Sequence, residues 1–99
     1  MAHVIVEVEF SSPLTDEEHA RIGKRVDECV GARNGEWQRS YLSADHLRMI
    51  CEFEAPDADA VREAHRTAGA TFERVWTATV FACEDYPEML AKVQKLTTP

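Results

Sequence analysis

The stretch from Trp37 to Gly69 limits the possible folds of this chain more than any other, because it reads as two strands and a helix whose ends are marked by residue chemistry. Ser43-Ala44-Asp45-His46 is a polar break between two runs of strand formers, the mark of a hairpin. Leu47 to Phe53 carries Leu, Met, Ile, Cys and Phe, which suit a central strand. Ala55-Pro56 ends that strand, since proline has no N–H for a ladder and holds its predecessor extended. Asp57 is placed to cap a helix from about Ala58 to Ala68, with Asp59 in the first turn where a carboxylate suits the helix dipole. Gly69 supplies a left-handed stop.

The flanking segments follow the same two periods. Val4 to Phe10 alternates strictly, with Val4, Val6, Val8 and Phe10 on one face and Ile5, Glu7 and Glu9 on the other, which predicts a half-buried strand. Thr15 and Glu18 form a capping box, and the helix from Asp16 to about Val30 places His19, Ile22, Val26, Cys29 and Val30 on one side. A second strand spans Glu36 to Leu42. A four-residue loop sets Leu42 opposite Leu47, which puts Trp37, Arg39 and Tyr41 on one face with Arg48, Ile50 and Glu52. The other face takes Leu42, Met49, Cys51 and Phe53. A fourth strand is expected over Glu73 to Phe81, with Trp76, Ala78 and Val80 on one face. Met89, Val93 and Leu96 mark a short terminal helix over Glu88 to Leu96.

Strand, helix, strand, strand, helix, strand is the split βαβ or ferredoxin-like order, with both helices on one side of an antiparallel four-stranded sheet. The expected division is a ferredoxin-like domain over residues 1–82 and a C-terminal tail helix over 83–99. The other face of the sheet is then bare. It carries Ile5, Ile50, Trp76, Ala78, Val80 and Trp37, a partly apolar patch that a second copy would cover in a homodimer.

The chain has 99 residues, so it makes one small domain of a size that gains from oligomerisation. Its net charge of −7 argues against nucleic-acid and anionic-membrane partners, which need basic patches, and suits a metal cation or a neutral small molecule. No apolar run approaches the roughly 20 residues of a membrane span. MAHVIVEVEF has no basic leader ahead of an apolar core, so the expected location is the cytoplasm. Cys29, Cys51 and Cys83 are odd in number and include no CxxC pair, so each is expected to be a small buried hydrophobe.

The runs SYLSAD, CEFEAPDADAVREAHRTAG and ERVW resemble a family of small bacterial proteins whose best-known member type is nickel-responsive and nickel-binding. The resemblance covers roughly Val4 to Val80 and leaves out the tail from Cys83. It implies a ferredoxin-like fold paired into a dimeric α+β barrel, with nickel or another divalent transition metal as ligand.

Read from the residues, the candidate metal donors are Glu7 and Glu52 on neighbouring strands of the bare face, with Tyr41 beside them and His3 or His46 near a rim. His65 is a further candidate, nominally on the helix side. Oxygen and imidazole donors suit nickel or zinc. Ion pairing of Glu7 and Glu52 with Arg39 or Arg48 competes with this reading, and so does a structural role for His65 with Ser40 or Thr77 as its partner. A second function class is a small dimeric α+β-barrel enzyme, a cofactor-independent monooxygenase or isomerase. Trp37, Tyr41 and Trp76 would line its pocket, and Glu7, Glu52 or His65 would act as base. A third is a module that binds a small ligand between the sheets.

Overall fold

The computed structural model describes the backbone of residues 1–97 and the side chains of residues 1–95. The elements follow the order β1 (Ala2–Glu9), α1 (Asp16–Gly31), β2 (Glu36–Leu42), β3 (Arg48–Ala55), α2 (Ala58–Ala68), β4 (Arg74–Ala78), a 3-10 turn (Cys83–Asp85) and α3 (Tyr86–Thr97). The strands form one sheet in the order β2-β3-β1-β4, with antiparallel pairing throughout. This is the ferredoxin-like topology with an added C-terminal helix.

Local chemistry sets the helix ends. The Thr15 hydroxyl accepts from the Glu18 N–H at 3.1 Å, and the Glu18 carboxylate accepts in turn from that hydroxyl at 3.0 Å. The Asp57 side chain accepts from the Ala60 N–H at 2.8 Å. Gly69 has φ of 72°, the left-handed cap that lets the Ala70 N–H reach the His65 carbonyl at 2.9 Å. Arg33 bonds the Cys29 carbonyl and the Thr67 hydroxyl, which ties the end of α1 to α2.

The core lies between the helices and one sheet face. Val4, Val6 and Val8 of β1, Cys51, Phe53 and Ala55 of β3 and Val75 of β4 pack under Val26 and Val30 of α1 and Val61, Ala64 and Ala68 of α2. The alternation expected of β1 is therefore present, with its valines inward.

The expectation of a barrel is not met. The sheet is open: β2 and β4 are its two rims and do not pair with each other. Four strands are too few for a sheet to curl round and join its own edges.

Three local expectations are also corrected. Leu42 pairs with Met49 rather than Leu47, because the hairpin loop runs from Ser43 to Leu47. Asp45 holds this loop by accepting from the Ser43 hydroxyl and the Leu47 N–H, bonds that keep its carboxyl below the usual carboxylate range. The shift is even, so the faces of β2 are kept from Arg39 onward. Trp37 is the exception. It pairs with Phe53 while Arg39 pairs with Glu52, so a bulge at Gln38 turns Trp37 to the helix side. Lastly, β4 stops at Ala78, because Ala78 already lies opposite His3 and β1 has only one residue beyond that.

The three cysteines are free thiols; Cys51 is buried, Cys29 is partly buried, and Cys83 is exposed, against the expectation for it. The terminal helix starts two residues earlier than expected and packs chiefly on the 3-10 turn before it. It leaves Met89, Leu90 and Val93 partly exposed, and the Leu96 side chain lies outside the described residues.

Candidate metal centre on the open face

The pairing arranges the open face in rungs. Glu36, Glu54, His3 and Ala78 make one, Arg39, Glu52, Ile5 and Trp76 the next, and Tyr41, Ile50, Glu7 and Arg74 the third. Glu7, Tyr41 and Glu52 thus share the face on which parity places them. They do not converge. Glu7 and Glu52 are diagonal neighbours on β1 and β3, while Ile50 stands between Tyr41 and Glu7. The Glu7 carboxylate accepts from the Trp76 indole N–H at 2.8 Å. Glu52 pairs with the Arg39 guanidinium at 2.9 Å, the ion pair that competes with a ligand role. Arg48 lies opposite Glu9, one rung beyond Glu7.

His65 lies on the far side of the sheet from the other three, in α2. It is buried, and its Nδ1–H donates to the Val61 carbonyl at 2.8 Å, so its partner is neither Ser40 nor Thr77. The ring stands edge-on to Phe53 and Phe72, with centroids at 5.6 and 5.8 Å. Burial pushes its pKa below the ordinary 6.5, against the raising effect of the backbone bond. Ser40 instead receives the Trp37 indole N–H and donates to the Cys51 sulfur. Burial raises the Cys51 thiol above its ordinary value, which keeps it protonated.

The residue that sequence reasoning placed only near a rim is the one best set up to act as a donor. His3 Nδ1 lies 2.7 Å from a Glu54 carboxylate oxygen. A carboxylate accepts, so Nδ1 carries a proton, and in the neutral tautomer of this arrangement the lone pair is on Nε2. Nε2 lies 3.9 Å from a Glu52 oxygen, too far for a hydrogen bond. It is the one buried side-chain nitrogen or oxygen among the described residues with no hydrogen-bond partner. The signal was available: starting β1 at Ala2 instead of Val4 places His3 on the same face as Glu7.

These groups fit a divalent transition metal in kind. Bonds from such an ion to imidazole nitrogen or carboxylate oxygen are about 2.0–2.2 Å, so two donors of one ion lie within roughly 4.4 Å of each other. The separation between His3 Nε2 and Glu52 falls inside that limit. A carboxylate behind the imidazole, the position of Glu54, is the usual means of fixing tautomer and orientation. In number they fall short. Among the described residues, no three His, Cys, Asp or Glu side chains come together closely enough to hold an ion.

Comparison with known proteins gives a family and a fold. A family model described as "Nickel responsive protein SCO4226-like" matches residues 5–77. The fold is similar to the crystal structure of SCO4226 from Streptomyces coelicolor A3(2), with a TM-score of 0.74 and 17% identity, over 82% of this chain and 100% of that one. At that identity the likeness speaks for the fold alone. No curated protein matches the chain. Among the described residues, no helix is long and apolar enough to cross a membrane.

Proposed function

This chain belongs to the SCO4226-like family of nickel responsive proteins, and on that premise we propose that it binds nickel, or a similar divalent transition metal, on the open face of its sheet. His3 and Glu52 are the donors from one chain. The observation that carries this reading is the buried His3 Nε2, which has no hydrogen-bond partner and faces a Glu52 oxygen at 3.9 Å. A buried polar atom without a partner is costly to keep, so a lone pair left open beside a carboxylate calls for an electrophile. The other Glu52 oxygen is held by Arg39, and Glu54 fixes the imidazole. Nickel accepts both imidazole and oxygen donors. When bound, it would supply positive charge to a face that carries Glu7, Glu9, Glu36, Glu52 and Glu54.

Two donors do not make a site, and a homodimer supplies the remainder. Ile50, Trp76 and Tyr41 are 42%, 45% and 55% exposed on this face. Such a patch favours cover by a second copy, and a twofold contact brings a second set of donors to the same surface.

Calorimetric titration of untagged protein with nickel tests the reading. His3→Gln and Glu52→Gln should each abolish stoichiometric binding, and Glu54→Gln should weaken it about ten- to a hundredfold. Glu7→Gln, which loses only the contact to Trp76, should bind as the unaltered chain does. Unchanged affinity in the His3→Gln/Glu52→Gln double variant refutes the assignment.

A further inference from the structure

The helix side of the sheet holds a second feature, independent of the metal site and separated from it by the strands. The inward stripe of α1 packs on the core through Val26 and Val30, but nearer its start the helix borders a cavity of about 640 Å³. Small-molecule pockets span roughly 300–1,000 Å³ and are mostly apolar with a few placed polar groups. Val8, Phe10, Ile22, Met49 and Phe53 supply apolar wall, and His65 is part of the lining. The charged residues that border the cavity, such as Arg25 and Asp27, are exposed positions of α1 at its rim.

The polar groups of the wall narrow the choice of occupant. Trp37, Ser40 and Cys51 already form a chain of hydrogen bonds among themselves. His65 is 3% exposed and spends its Nδ1–H on the Val61 carbonyl. In the neutral ring, the form that burial favours, Nε2 is therefore an acceptor, and no described residue donates to it. His65 is among the residues that line the cavity, beside the apolar wall.

Gly23 gives a position from which the space can be filled. It is an exposed position of α1 that borders the cavity, and a Cβ built on it meets nothing within 4 Å.

We propose that this cavity binds an uncharged, largely apolar small molecule carrying one hydrogen-bond donor, such as a phenol or an aromatic alcohol, with the donor seated on His65 Nε2. The apolar wall holds the body of the molecule, and the imidazole selects for the hydroxyl.

The probes are 1-naphthol and 1-methoxynaphthalene, which share a body and differ in the donor. Calorimetry should show saturable 1:1 binding of 1-naphthol and about tenfold weaker binding of the ether, the worth of one hydrogen bond. Gly23→Leu puts a side chain into the cavity from a position with room for it, and should abolish naphthol binding while nickel binding is unchanged. His65→Phe keeps a ring and removes the acceptor, so it should erase the preference for naphthol over its ether. If His65→Phe does not fold, Gly23→Leu still decides the matter. Equal affinity of the unaltered protein for the two probes, no saturable binding of either, or full naphthol affinity in Gly23→Leu would each overturn the proposal.

Discussion

Two glycine-to-alanine changes should move stability in opposite directions. Gly35 sits where the connection from α1 passes the end of β3, and its backbone is outside the left-handed region, so alanine suffers no conformational strain there. Its difficulty is space. A Cβ on Gly35 would stand 2.7 Å from Val30 Cγ1, 3.2 Å from the Glu54 carbonyl oxygen and 3.3 Å from Ala55 Cβ. Val30 is 1% exposed, so its stiff β-branched side chain has nowhere to turn. Overpacking of this kind costs about 1–3 kcal/mol. The smaller unfolded-state entropy of alanine returns about 0.4–1 kcal/mol. The net expectation for Gly35→Ala is a loss centred on about 1.3 kcal/mol, and each kcal/mol lowers the melting temperature of a domain this size by about 4–8 °C. Gly23→Ala meets no neighbour and sits inside a helix, so it should gain about 0.5–1 kcal/mol. Urea unfolding with unchanged slope measures both. A Gly35→Ala variant as stable as the unaltered chain, or two variants that shift in the same direction, would refute the steric argument.

Stability should fall on both sides of neutrality. His65 has its pKa depressed by burial below 6.5, so the unfolded chain takes up the proton first; stability is full above that value and declines as pH drops below it. Cys51 has its pKa raised above 9.0, so its contribution is intact below 9.0 and is lost as pH climbs beyond it, a limb that Cys51→Ala should remove. A urea midpoint that stays flat from about pH 7 to about pH 5 contradicts the first half. Asp57→Ala removes the cap of α2 and should cost about 1 kcal/mol, with Asp57→Asn largely restoring it; equal loss in both would mean that charge matters and the hydrogen bond does not. Trp76→Glu, on the open face, should yield monomers by light scattering, and an intact dimer would place the contact elsewhere.

What the sequence made legible was local. Asp57, Gly69 and Thr15 act through atoms within a few residues, so the bounds of α2 and the start of α1 could be read directly. Parity put Glu7, Tyr41 and Glu52 on one face, and it survived a hairpin two residues out of register because an even slip leaves the faces alone. Features decided by a distant partner were not legible. The bulge at Gln38 depends on how β2 meets β3, and it reversed Trp37. The end of β4 depends on where β1 begins. The role of His3 comes from Glu54 and Glu52, about fifty positions away, and the clean alternation of β1 begins only at Val4. The cavity beside α1 depends on how closely the helix approaches the sheet, and periodicity records which residues face inward without recording how near they come.

The irregularity in β2 also bears on how the molecule keeps to itself. An open sheet exposes a row of unused amide groups along each outer strand, and a straight row is a template for stacking with another chain. The extra residue at Gln38 breaks that row partway along β2, and Glu36 and Arg39 set charge on either side of the break. A passing strand therefore cannot zip along this edge in register. The same kink that re-aims an indole also guards the sheet against fibril-like growth.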